Sequence, residues 1–465
     1  MLIYVILKEI RSNILSLRLH LAIIMTLMVF SAGTIAFVKN FRTAKEDYRR
    51  YHAELTNDLR ATAENNLSRL AVRRPRYNLE PRENMFIDDS REKYFPNSFA
   101  CSAYNVFGFE VRPGSANPYL QPFSELNWKF ILSIIIGFTV FIFTFDSISG
   151  EKESRTLAIT LSNSVSRGTL FVGKYLSTIA TTLLVLIPGM SLSLIIILIT
   201  GTISVSAATI LEIAGFILAT VLFIACIATF GILASVLVRS AKVSLLVALA
   251  FWLVFVVIIP NTALFWAQTL FPIENTEVIS ERIKNEKEEI NRAAPTGSWG
   301  SSNSNPFLPQ HELRAANQTK LMNAEKRIKD AYYNDMFRQL KRVRLVTLLS
   351  PVSLFEYMCE AIVGGGYVRF QKNWNDLHVY QEQLLAFFKE KDANDPDSPH
   401  WYNPYEDYST TKKSVNFEEV PLYNEKSTGM GERFAYAGTY SLVMVVYTAL
   451  VFFLTFVLFV RYDVR

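Results

Sequence analysis

Hydrocarbon offers no hydrogen bonds to a peptide group, so a chain that enters a bilayer crosses it as helices of about 20 apolar residues or as a closed barrel. Six helical runs of this kind stand in the sequence, at residues 19–38, 130–145, 175–200, 210–238, 243–270 and 437–460. The second is short unless Asn127 and Trp128 extend it, which would place Trp128 at an interface where indole rings collect. The first follows Lys8, Arg11 and Arg18 as a secretory signal would, but its apolar stretch exceeds a usual signal core, so it reads as an uncleaved anchor. Between the runs lie stretches as polar as any soluble domain. With 465 residues, 50% of them hydrophobic and 19% charged, the chain divides into a bilayer part and a water-exposed part.

Orientation follows from the short loops, because cytoplasmic flanks accumulate Lys and Arg. Lys8, Arg11 and Arg18 precede the first run; Lys152, Arg155, Arg167 and Lys174 separate the second from the third; Arg239 and Lys242 separate the fourth from the fifth; Arg461 and Arg465 follow the sixth. All four regions fall on one side. Both termini are therefore expected in the cytoplasm, with residues 39–126, 201–209 and 271–436 outside. A net charge of +5 spread among nearly as many anions gives no concentrated basic face, and so no basis for nucleic-acid binding.

The first outer segment opens with Ala44, Tyr48, Tyr51, Leu55, Leu59 and Leu67 at roughly helical spacing, so the first membrane helix is predicted to continue outward through 41–70. Prolines then break the pattern, and the aromatic run 104–109 reads as a strand or ordered loop. In the second segment, helices are predicted over 277–291, 311–349, 352–362 and 374–391, with Gly364–Gly366 ending the third. The stretch 295–309, rich in Gly, Ser, Asn and Pro, reads as a mobile hairpin tip. Cys101 and Cys359 fall one in each outer segment. They could form a single bridge if both face an oxidising space, or stand as two free thiols; Cys226 lies in an apolar run.

Catalysis should leave clustered acids, histidines or a nucleophile motif, and the sequence carries no His-Glu-x-x-His and no Gly-x-Ser-x-Gly. Gly168 to Tyr175 has the spacing of a phosphate-binding loop up to its last position, where Tyr175 cannot supply the small hydroxyl that ligates magnesium. Lys174 then marks where the third run meets the cytoplasmic interface. Ion-coupled transport would leave ionisable groups within the runs. Glu212 is the main one, read here as interfacial, and Pro188, Gly189 and Pro260 are placed to kink helices. An external energy source is the economical inference.

Between the second and third runs the sequence reads Gly150, Glu151, Lys152, Glu153, Ser154, Arg155, Thr156, Leu157, then Ser164, Val165, Ser166, Arg167, then Gly173, Lys174. This closely resembles the type-2 class of ABC transporter permeases, in which Glu-x-Glu-x-Gly-Thr-Leu, Pro-Val-Ser-Arg and Gly-Lys recur in this order. Arg155 stands where Gly is usual, and Ser164 where Pro is usual. At the N-terminus Ile3, Ile6, Leu7, Ile10, Ile14 and Leu17 form one apolar face, resembling the elbow helix of the class. The outer segments are far larger than in the simplest members and resemble those of bacterial permeases linked to multicopper-enzyme maturation and gliding.

The resemblance implies an α-helical integral membrane protein: an amphipathic elbow at 1–18, spans at 19–38, 127–145, within 175–270 and at 437–460, a coupling region at 146–174, a tail at 461–465, and a mainly helical extracytoplasmic domain built from insertions 39–126 and 271–436. It implies a permease of an ABC exporter in the bacterial inner membrane, without catalytic residues, metal or cofactor of its own. ATP and Mg would be held by two separate ATPase subunits. A second permease, identical or similar, membrane lipid and an extracytoplasmic protein would be its other partners. Glu151, Glu153, Arg155 and Arg167 would couple the chain to the ATPase. A reading from another class is a non-transporting scaffold or signalling protein whose outer domain recruits envelope proteins.

Overall fold

The computed structural model describes residues 1–90, 97–104, 106–110, 126–162, 165–293, 309–398, 400, 402 and 413–462. Among the described residues six helices are long and apolar enough to cross a membrane: Leu17–Ala63, Trp128–Glu153, Arg167–Ile199, Ala207–Leu237, Ala241–Asn261 and Met430–Arg461, called spans 1 to 6 below. Small polar residues start them. Ser16, Asn127, Ser166 and Ser206 each accept a hydrogen bond from a first-turn N–H of the helix that follows, supplying the partner that a helix N-terminus otherwise lacks. Span 4 lies at the centre of the bundle and span 5 is the least covered. Both chain ends lie on one face of the bundle, called here the terminus face; the large insertions sit on the other, the domain face.

The helix of the first span does continue past its apolar run and into the domain. Its helix runs unbroken over Leu17–Asn65, 49 residues or roughly 70 Å, and ends inside the domain core with Leu59 and Ala63 buried. There it meets a three-stranded antiparallel sheet of β1 (Arg76–Asn78), β2 (Ser98–Cys101) and β3 (Val106–Glu110), in the order β1-β2-β3. Helices Thr276–Ala293, Pro309–Thr347 and Gly366–Asp392 complete the domain, the first two close to the predicted ranges and the third starting eight residues earlier than predicted. Its core is aromatic: Tyr77 stacks on Phe99, the Tyr77 and Tyr380 hydroxyls are 2.8 Å apart, and Tyr333 packs on Trp374. The expected mobile tip at 295–309 lies, apart from Pro309, outside the described residues.

Four expectations are corrected. The helix predicted at 352–362 does not belong to the outer domain. Pro351–Val363 is packed between spans 4 and 6, with Phe355 stacked on Phe223. With the end of Pro309–Thr347 it forms a hairpin that dips into the bundle and returns to the domain face. Ser350 caps its second helix, Pro351 occupies the first turn where no N–H is needed, and Gly364 ends it at φ +67°. At the tip the Ser350 hydroxyl donates to the Phe255 carbonyl at 2.6 Å, inside a π-helical stretch of span 5, Leu253–Ile258. A second π-helical stretch, Ile131–Ile136, interrupts span 2.

Trp128 is not interfacial. It is buried against Phe30, Phe86 and Phe216, and its indole N–H donates to Ser193 Oγ at 2.8 Å. Nor is Glu212 interfacial: its carboxylate is buried, paired with Arg433 at 2.6 Å and bonded by Asn84 at 3.0 Å. Cys101 and Cys359 are both free thiols buried in different clusters, Cys101 in the domain core and Cys359 in the bundle. No bridge links them, and burial pushes the Cys101 thiol up to about 12.

Spans 2 and 4 approach so closely at Gly231 that a Cβ there would overlap Thr144 Oγ1. Gly231→Val should therefore destabilise the detergent-solubilised protein by about 1–3 kcal/mol, read as a lower melting temperature. Gly438→Ala in span 6, where an added Cβ would meet nothing within 4 Å beyond its own helix backbone, should not lower the melt.

Candidate functional site

The stretch between spans 2 and 3 forms two short helices on the terminus face, Ser149–Glu153 and Thr156–Ser162. Leu157 and Leu161 turn inward onto Phe171, Phe459 and their neighbours. The other side of the second helix is bare, with Ile159 65% exposed. The turn between them is made by Arg155 at φ +57°, a left-handed conformation that glycine adopts without cost and other residues do not. Glycine is the usual residue at this position of the motif. The Arg155 side chain itself is exposed.

The charged residues of this stretch bond mostly to the chain's own helix ends. Glu153 Oε2 accepts the Ala241 N–H at 2.8 Å and so caps span 5, whose flanking Ser240 leaves its first turn uncapped. Lys152 Nζ donates to the Val236 and Val238 carbonyls at 2.5 and 3.2 Å, closing the end of span 4, and lies 4.2 Å from the Tyr462 ring centre. Arg167 donates to the Val460 and Tyr462 carbonyls, closing the end of span 6. Ser235 Oγ accepts the Ile148 and Ser149 N–H groups at 2.9 and 2.8 Å, and Asp146 pairs with Arg18 at 2.7 Å beside span 1.

Glu151 belongs to a buried triad. Its Oε1 lies 2.8 Å from Lys174 Nζ, and Glu9 Oε1 of the elbow helix Leu2–Ile14 lies 3.2 Å from the same nitrogen. The Lys174 side chain is 3% exposed, so it does not mark a wet interface as expected from the sequence. One residue earlier, Gly173 leaves room for the elbow's Val5, whose methyl a Cβ would meet at 2.6 Å. The Gly-Lys pair thus works in two ways: glycine admits the elbow and lysine fastens it. Glu9 and Lys152 escaped the sequence reading. The signal for Glu9 was available, since it is the only carboxylate before Glu46 and stands on a helix whose other charged residues, Lys8 and Arg11, are cations.

Of the four residues singled out from sequence, Glu151, Glu153 and Arg167 each bond to a different span, and Glu153 and Arg155 are exposed. Among the described residues no group of three or more His, Cys, Asp or Glu could hold a metal ion. The family model described as ABC-2 family transporter protein matches residues 3–464, nearly the whole chain. No curated protein matches this sequence.

Two stability measurements probe this geometry. Lys174→Met strands two half-buried carboxylates and should cost about 3–5 kcal/mol, with most of the loss recovered when Glu9→Gln and Glu151→Gln are added. Arg155→Gly should raise the melting temperature. It removes about 1–2 kcal/mol of left-handed strain against a smaller entropic penalty in the unfolded chain, a net gain of roughly 0.5–1 kcal/mol.

Proposed function

Because the chain belongs to the ABC-2 family of transporter proteins, we propose that it is the permease subunit of an ATP-driven exporter. In this reading the terminus face lies in the cytoplasm, the domain face lies outside a bacterial inner membrane, and separate ATPase subunits hold ATP and Mg. A second permease, identical or similar, would complete the assembly. The observation that carries the reading is the bonding of one short stretch to nearly every helix end on its face. Residues 146–167 bond to spans 4, 5 and 6, to Lys174 of span 3 and, through Arg18, to span 1.

A partner that closes on ATP and pushes against this stretch therefore moves the whole bundle. The contact surface would be what the stretch exposes, namely Arg155 and the solvent-facing side of Thr156–Ser162 that carries Ile159. Glu151, Glu153 and Arg167 would act behind it, passing the displacement to the spans they hold. Glu151 is thus a positioning residue in this scheme.

Purification of the tagged chain from its native membrane should bring with it an ATPase whose ATP hydrolysis is vanadate-sensitive. Ile159→Glu, combined with Arg155→Glu, should reduce the copurified ATPase about tenfold or more without altering the melt of the permease, because both side chains are solvent-facing. Parent-level ATPase in that double variant would remove the docking role from this face, and purification without any ATPase would remove the exporter reading.

A further inference from the structure

The outer domain holds a cleft that the transport reading does not use. It forms where the outward end of span 1 (Tyr48, Tyr51), strand β1 and the residues after it (Tyr77, Asn78, Glu80) and the strap returning to span 6 (Tyr423) converge. Its volume is about 40 Å³, room for about three water-sized groups. Four phenol rings make the walls.

The polar groups within it are unbalanced. Tyr51 and Tyr77 already have hydroxyl partners, in the Arg76 carbonyl at 3.0 Å and the Tyr380 hydroxyl at 2.8 Å. Glu425, also at the wall, is held by Arg369 at 2.6 Å through both oxygens and by Asn373. The exposed side chains of His52 and Asn424 complete the rim; among the lining atoms sealed from water, the one without a partner is an acceptor. Asn78 Oδ1 is buried without a hydrogen-bond partner, and Glu80 makes no ion pair among the described residues. The field agrees with that sign: burial first, then Glu80 and Glu425, push the Tyr48 phenol above its ordinary value.

A group that fits must therefore bring positive charge and N–H donors together, be small, and tolerate aromatic faces. Anions and neutral acceptors fail on charge, and a quaternary ammonium brings no donor to Asn78. A guanidinium is larger than the space. Tyr48 lies ten residues beyond the apolar end of span 1 at Val38, about 15 Å further along the helix and past the lipid headgroups, so the group arrives from water.

We propose that this cleft binds a primary ammonium group, presented either by a lysine side chain of a polypeptide or by a small free amine. The aromatic walls supply cation–π attraction, Glu80 the counter-charge and Asn78 Oδ1 an acceptor. Binding would join span 1 to the strap of span 6 without touching the terminus face, so the inference stands apart from the transport reading.

Saturation-transfer NMR on the full chain in nonionic detergent tests it, with n-butylammonium, n-butanol and tetramethylammonium as probes. Saturable binding of n-butylammonium is expected, with Kd raised about tenfold or more in Glu80→Gln. Glu80 is exposed, so that variant keeps its fold, as its melt will show; Tyr48→Leu, which removes a wall, should weaken binding as well. Tighter binding of Nα-acetyl-lysine N-methylamide than of n-butylammonium assigns the polypeptide source; the reverse assigns a free amine. Absence of saturable binding, binding unmoved by Glu80→Gln, or equal binding of n-butanol or tetramethylammonium overturns the proposal.

Discussion

The Lys174 ammonium is buried among apolar helices, where without partners it would cost several kcal/mol, and two carboxylates from distant parts of the chain converge on it. The elbow helix, span 3 and the stretch after span 2 are consequently fixed to one another at a single point. The same constraint acts on the domain face. Glu212 meets Arg433, Asp88 meets Lys129 at 2.7 Å, and Arg344 meets Glu360 at 2.6 Å, each pair sealed from water or nearly so. Between these two levels the bundle holds apolar side chains together with buried hydroxyls such as Thr34, Thr182 and Thr229. Polar interactions therefore set which helix ends belong together, while packing such as Phe223 on Phe355 fills the space between.

The domain-face pairs also explain how so large an outer domain is held. The hairpin helix Pro351–Val363 ends at Gly364 with its last carbonyls aimed at cations and amides from elsewhere: Arg433 donates to Ile362, and Arg82 and Asn84 donate to Val363 at 2.7 and 3.0 Å. Arg82 and Asn84 come from the first insertion, the hairpin from the second, and Arg433 from span 6. Glu360 in turn accepts the Tyr367 N–H at 2.8 Å, which fixes the turn into Gly366–Asp392. The unbroken helix of span 1 adds a continuous rod from the terminus face to the domain core. Movement of the spans and movement of the outer domain are thus mechanically joined at two places, by a rod and by a buried polar knot.

The spans were legible in the sequence because an apolar run long enough to cross a bilayer needs no knowledge of its neighbours. The outward continuation of span 1 was legible for a similar reason, since its repeat of Tyr48, Leu55 and Leu59 is local. Placement of the hairpin was not. Residues 352–362 are apolar enough for either a domain core or a bundle, and only the length of the run argued against the membrane. What decides the matter is the packing of Phe355 on Phe223, 132 positions away, which no local pattern records. Trp128 failed in the same manner: an indole near the end of a span suits an interface, but here Ser193 supplies a buried acceptor.

The terminus face was legible as a motif and opaque as geometry. A run such as Glu151, Glu153, Arg155, Arg167 suggests a docking surface, yet Glu153 and Arg167 are consumed by helix ends and Glu151 by the Lys174 side chain, partners that lie 23 to 295 positions away. The reason is physical. Spans 4, 5 and 6 must begin or end at this face, each leaves N–H or carbonyl groups without partners, and the nearest flexible charged side chains satisfy them before any partner protein can. Arg155 escapes because its backbone is committed to the left-handed turn, which aims its side chain away from the bundle. At that position a glycine would make the same turn at less cost but would present nothing outward. An arginine there accepts about 1–2 kcal/mol of strain and keeps an exposed cation on this face.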